Sequence, residues 1–189
     1  MSRVYLIRHA RPSAAWGGDD DDPGLDELGR GQAEAAARTL LALPEGERPT
    51  RVVSSPLRRC RETARPFAEA IGVPLEIDPH VGEIPSPKAL SLSERGPWLR
   101  NAFAGEWADI QGDLDYDAWR REVTRAVASR PEAAVFSHFV AINAVLTTLA
   151  GEPRVISLRP DHASISVFEL NDGQLALVER GREAATGVL

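Results

Sequence analysis

Three short apolar runs, at residues 4–7, 51–55 and 133–138, constrain this chain most, because each leads across a turn or loop into a segment of helical length. The first, Val4-Tyr5-Leu6-Ile7, precedes an acidic, turn-rich stretch over residues 12–24 and then a helix that Asp26 caps and Pro44 ends. Asp26 and Glu27 sit at its positive end, and Leu28, Ala36 and Leu40 are predicted to share its buried face. The second run stops at Pro56 and leads into a helix over 57–71 before Gly72 and Pro74. The third leads into a helix over 140–149 that Gly151 stops. A short strand over 73–77 and a helix over 116–129 fill the middle, and strands over 164–170 and 175–179 join through Asn171-Asp172-Gly173 as a tight hairpin. Alternation of this kind specifies an α/β fold: a three-layer α/β/α sandwich around a mainly parallel sheet. At 189 residues one domain accounts for the whole chain. Residues 84–112 carry three prolines, then Trp98, Phe103 and Trp107 in no clean period, and are read as an irregular region with short helices; a small cap is expected at about 84–115.

Chemistry-bearing residues fall at the predicted strand ends or just beyond them. Arg8-His9 follows the first strand, Ser54-Ser55-Pro56-Leu57-Arg58-Arg59 the second, and Ser137-His138 closes the one at 133–138, while Glu83 follows the short strand at 73–77. In a parallel sheet these carboxyl ends share one edge, where open α/β folds bind ligands. The set matches phosphoryl transfer, which needs an in-line nucleophile, positive charge on the equatorial oxygens and an acid for the leaving oxygen. A neutral His9 nitrogen can attack phosphorus, forming a phosphohistidine that water then discharges. Arg8 and Arg59 offer forked donors to phosphate oxygens, and His138, protonated beside a bound dianion, adds charge. The scheme requires no metal and no cofactor.

Residues 5–10 resemble the Leu-x-Arg-His-Gly opening of the histidine phosphatase superfamily, the phosphoglycerate mutase-like fold. Residues 55–64 are similar to its Ser-x-Leu-x-Arg-Ala-x-Gln-Thr-Ala signature, and residues 26–33 to its Leu-Thr-x-Leu-Gly-x-x-Gln-Ala helix start. The resemblance implies His9 as nucleophile, Arg8, Arg59 and His138 as the phosphate pocket, and Glu83 as proton donor and later base. The Leu-x-Arg spacing selects Arg59 over its neighbour Arg58, and Glu83 has Glu62 and Glu76 as competitors. Its implied activity is hydrolysis of a small phosphorylated metabolite; the alternatives are mutase-type transfer, removal of phosphate from protein phosphohistidine, and a non-catalytic phosphate-binding module.

The sequence departs from the family pattern at several points. Ala10 replaces the glycine after the nucleophile. Arg11 stands where glutamate or glutamine is usual, and Ala15 where many members carry a phosphate-contacting asparagine. Ile84-Pro85-Ser86-Pro87 replaces a glycine- and tryptophan-containing stretch after Glu83. Phe139 takes the place of the glycine after the second histidine, so it either walls the pocket or packs the core. Trp98, Trp107 and Trp119 line a pocket or pack the cap, with nothing local to decide. His80 and His162 are read as structural, and the Asp19–Asp22 run as a solvated loop lacking calcium-ligand spacing.

Net charge of −6 argues against nucleic acid or an anionic membrane as partner, so an anionic substrate must be held by local arginines. One cysteine, Cys60, fits a reducing compartment, and the apolar N-terminal run is too short for a signal peptide; a cytoplasmic location is the expectation. Oligomeric state is not legible.

Overall fold

The computed structural model describes residues 2–14 and 20–185, so Ala15 and Asp19 lie outside the described residues. A six-stranded sheet runs in the order β3-β2-β4-β1-β5-β6. Its strands are β1 (Ser2–Arg8), β2 (Arg51–Ser54), β3 (Leu75–Ile77), β4 (Ala133–Ser137), β5 (Ile165–Asn171) and β6 (Gln174–Glu179). The first four are mutually parallel; β5 runs antiparallel to β1, and β6 antiparallel to β5. The β5–β6 turn uses Asp172 and Gly173, both at positive φ, the conformation that a two-residue hairpin demands.

Helices cover both faces of the sheet. Tyr5, Ile7, Val52, Ala134 and Phe136 project into one layer with α1 (Glu27–Leu41) and α2 (Arg58–Ile71). Val4, Leu6, Val53 and Val135 project oppositely, into the layer shared with α4 (Tyr116–Ala128) and α5 (Phe139–Ala150). Burial on both sides is why these strands read as continuous apolar runs and not as alternating ones. All five β4 residues are buried.

Two local expectations need correction. Leu28 is 51% exposed, because the Asp26 cap phases α1 so that Gly29, Ala33, Ala36, Ala37 and Leu40 face inward. Gly29 lies so near the loop after His9 that a Cβ there would meet the Arg11 carbonyl oxygen at 2.1 Å, a close approach only glycine permits. The region after Glu83 is also more regular than predicted: α3 (Leu92–Ala104) is a 13-residue helix opened by Ser91 and Glu94, whose carboxylate accepts from the Ser91 backbone N–H and hydroxyl.

The tryptophans hold this region to the body. The Trp98 indole donates to the Gln111 carbonyl and its ring lies 5.7 Å from Tyr116. The Trp107 indole donates to Thr147 Oγ1 on α5, with its ring 5.9 Å from Trp119. Packing therefore accounts for all three. No helix among the described residues is long and apolar enough to cross a membrane.

Candidate active site

Sheet order brings the predicted residues together. β4 lies between β2 and β1, so the carboxyl ends of all three are neighbours. The ladder runs one step past the strands: His9 N–H donates to the Ser137 carbonyl at 2.9 Å and Ser55 N–H to the Phe136 carbonyl at 3.0 Å. Arg8, His9, Ser55, Arg59, Glu83, Phe139 and His162 line one cavity of about 900 Å³ at this edge, with His138 buried at its floor against Ser55 and Arg59.

His9 is 6% exposed and its ring lies 5.2 Å from that of His138. Its Nδ1 lies 2.9 Å from the Ala10 carbonyl, which can only accept, so Nδ1 carries the proton and Nε2 keeps its lone pair. Burial, then His138, Arg59 and Arg8, holds His9 well below the usual imidazole range. Ala10 N–H donates to Thr63 Oγ1 of α2, tying the loop after His9 to the helix that carries Arg59.

His138 is wholly buried. The Arg59 guanidinium, a donor only, lies 3.3 Å from Nδ1, so Nδ1 accepts and Nε2–H donates to Ser55 Oγ at 2.8 Å. Burial and the two arginines hold this ring neutral as well. Cys60 Sγ packs within 3.3 Å of Nε2; the thiol is wholly buried, and burial pushes its pKa up, away from thiolate reactivity.

Arg8 is 4% exposed, and burial brings its guanidinium down to about 10, still charged near neutrality. One terminal nitrogen donates to the Pro160 carbonyl at 2.8 Å, whereas Nε has no partner among the described residues. Arg59 is 5% exposed and turns inward, while Arg58 turns outward to Glu62. Glu83 faces His138, with Oε2 3.7 Å from Nδ1, and accepts from the Ile84 amide at 2.9 Å, while the Val140 amide in the first turn of α5 lies near its carboxyl. Burial raises its pKa, against the opposing pull of Arg59, Arg8 and those amides. Its competitors are occupied elsewhere: Glu62 binds Arg58 and the Leu25 amide, and Glu76 pairs with Arg51.

His162, read from sequence as structural, lines the cavity with its ring 5.9 Å from His9. Burial, with Arg8 beside it, lowers it to about 4. The turn that delivers it runs through Ala163 at φ +57°, a left-handed conformation held by the Ala163 amide donating to the Arg8 carbonyl at 3.1 Å. No local sequence signal marks that turn. The acidic run is likewise more engaged than predicted: Asp22 accepts from the Arg58 amide at 2.6 Å, capping α2 where Leu57 cannot, and Asp21 pairs with Arg95 of α3.

A buried imidazole with a free lone pair, ringed by two arginines and a second imidazole, suits attack on phosphorus. The family model for the histidine phosphatase superfamily (branch 1) matches residues 4–182, a span containing every residue of this pocket. The chain belongs to the histidine phosphatase superfamily. Over 144 residues it is 32% identical to the glucosyl-3-phosphoglycerate phosphatase of Mycobacterium tuberculosis, covering 69% of this chain and 62% of that protein. The chain thus spans less than two thirds of that relative's length. Over 172 residues it is 27% identical to the probable phosphoglycerate mutase GpmB of Yersinia pestis, covering 81% of this chain and 77% of the relative. The phosphoserine phosphatase of Entamoeba histolytica, solved with 3-phosphoglyceric acid, shares the fold with a TM-score of 0.75 at 17% identity, over 97% of this chain and 98% of its own.

Proposed function

We propose that this histidine phosphatase is a metal-independent phosphomonoesterase that hydrolyses a small phosphorylated metabolite through a phosphohistidine on His9. The observation that carries the reading is the His9 tautomer: with Nδ1–H held by the Ala10 carbonyl, the nucleophilic lone pair resides on Nε2. Arg8 and Arg59 supply fixed positive charge to the phosphoryl oxygens, and the unpartnered Arg8 Nε is a donor suited to one of them. His138 is neutral without substrate and gains a proton beside a bound dianion, adding charge at the floor of the pocket.

His9 Nε2 forms the P–N bond as the ester P–O bond breaks, and Glu83 delivers its proton to the departing alkoxide. Water then attacks phosphorus, Glu83 takes a proton back, and the P–N bond breaks to free His9 and phosphate. Burial raises the Glu83 pKa, which favours the protonated starting form. The likeness to the mycobacterial glucosyl-3-phosphoglycerate phosphatase and to the Entamoeba phosphoserine phosphatase, both phosphatases of small phosphorylated compounds, supports this reading. The GpmB likeness keeps mutase-type transfer as the second reading. We read residues 84–115, including α3, as a cap on the leaving-group side.

The test is turnover of a phosphomonoester panel in chelator by wild type and His9→Ala, following released phosphate and 2-/3-phosphoglycerate exchange. His9-dependent release is the expected result. Exchange without release would replace hydrolysis with mutase-type transfer.

A further inference from the structure

Beyond the phosphate-binding floor the cavity changes character. Phe139, the first residue of α5, lies beneath the Arg8 guanidinium, whose central carbon is 5.2 Å from the ring centroid. Phe103 of α3 continues the series, 5.3 Å from Phe139 with the planes 31° apart. Both rings border the cavity; Phe139 is 5% exposed and packs in the core beneath Arg8, so it is the backing of the wall, and the half-buried Phe103 carries the accessible aromatic surface away from the phosphate site along α3. Leu99 and Leu92, four and eleven residues before Phe103, extend it on the same helical face.

Gly96 completes that face and lines the cavity midway between the two leucines. A Cβ there would meet only the flexible Arg100 guanidinium, at 3.5 Å. Alanine would fit and would favour the helix by about 1 kcal/mol, so the glycine keeps open a strip of helix surface that any larger side chain would fill. The charges of the rim are mixed. Arg11 is engaged by Asp26 at 2.6 Å and Arg95 by Asp21 at 3.1 Å, while Asp20 and Asp21 also face the cavity. Arg100, which is exposed, lines the same rim with no carboxylate partner among the described residues.

We propose that the leaving group is an apolar, ring-bearing alcohol seated against Phe139, Phe103 and the Gly96 strip, in preference to a polyol or a carboxylate-bearing alcohol. The proposal rests on the phosphomonoesterase reading of the same site. Seating a ring there removes apolar surface from water on both partners, while a second anion meets a rim whose arginines are mostly neutralised. Aromatic contact with Phe103 and Phe139 adds directional preference for a planar group.

The test compares kcat/KM for 2-phenylethyl phosphate, glycerol 3-phosphate, phosphoserine and 3-phosphoglycerate, all alkyl esters, so that leaving-group chemistry contributes little to the ranking. Wild type, Phe103→Ala, Gly96→Leu and His9→Ala are measured on each. The phenylethyl ester is expected to lead glycerol 3-phosphate by roughly 10–100-fold, the worth of burying one ring. Phe103→Ala and Gly96→Leu should each remove about 10-fold of that lead while leaving glycerol 3-phosphate turnover within about threefold, which also reports that both variants fold. His9-dependent turnover that favours phosphoserine or 3-phosphoglycerate would overturn the inference and leave the phosphomonoesterase reading intact. Equal losses on every ester in the two wall variants would do the same. No His9-dependent release from any ester would overturn both.

Discussion

The floor and the α3 wall of one cavity are built on opposite principles. The floor hangs from the carboxyl ends of three adjacent parallel strands, and its side chains are nearly all buried and cross-linked: Arg59 to His138, His138 to Ser55, His9 to the Ala10 carbonyl. The wall hangs from a single half-exposed helix whose cavity face meets other groups mainly through apolar contact. Rigid, hydrogen-bonded placement suits a transition state whose geometry is the same for every phosphomonoester. Apolar contact on a separate helix suits the part of the substrate that differs from one ester to another. Floor substitutions should therefore lower rate on all substrates, and wall substitutions should change their ranking.

The largest effect is expected from His9→Ala, which removes the proposed nucleophile and should reduce kcat/KM by about 10³-fold or more on every ester; a residual rate above a tenth of wild type would show that the floor does not work through His9. Glu83→Gln should lower kcat for alkyl esters by roughly 10²–10⁴-fold. In kcat/KM, which reports formation of the phosphoenzyme, the alkyl esters should show this loss while p-nitrophenyl phosphate loses about tenfold or less, because that leaving group departs without a proton. Equal losses on the two ester types would remove Glu83 from the acid role. Adjacent arginines offer a sharper contrast: Arg59→Ala should cost about 10²–10³-fold in kcat/KM, whereas Arg58→Ala, which breaks only an exposed pair with Glu62, should stay within about threefold.

The smallest expected effect is on stability. His9, His138 and His162 are all lowered in the fold, so below the ordinary imidazole pKa of about 6.5 the unfolded chain takes up protons that the folded one refuses. Stability should fall as pH drops below that point, by up to about 1.4 kcal/mol per pH unit for each such histidine. Glu83, raised in the fold, has the opposite sign: it stabilises at low pH, and that contribution is lost as pH rises through its folded value. Thermal unfolding of wild type and His162→Gln between pH 5 and 8 checks this, with a shallower acid decline expected in the variant. Parallel profiles would mean that the folded chain protonates His162 as readily as the unfolded one.

The same contrast explains what could be read from sequence. Arg8, His9, Arg59 and His138 were legible because each ends an apolar run or begins the helix after one, so a local motif carries its position in the fold. The wall was not, although Ser91 and Glu94 announce the start of α3. Leu92, Leu99 and Phe103 line the cavity, yet Leu99 and Phe103 also pack against the core with Trp98, and Ala102 is buried, so apolar residues spread around one helix blur the single period that marks a core-facing helix. His162 depends on a left-handed turn at an alanine, a conformation set by long-range hydrogen bonds to the Arg8 strand end. Leu28 shows a similar limit, since its apolar character suggested burial while the phase of α1 is set by the Asp26 cap and the Gly29 contact.

If phosphate passes through His9, rapid acid-free quenching during turnover, followed by peptide mass spectrometry, will find it there. Wild-type protein mixed with 2-phenylethyl phosphate, and with p-nitrophenyl phosphate as a reactive control, should carry one acid-labile phosphoryl group on His9, with more accumulating in Glu83→Gln on the activated ester because its discharge by water lacks a base. Turnover with no phosphoryl group on His9 in either protein, or with the label on His138 or His162 instead, would exclude His9 as the residue that carries the phosphoryl group.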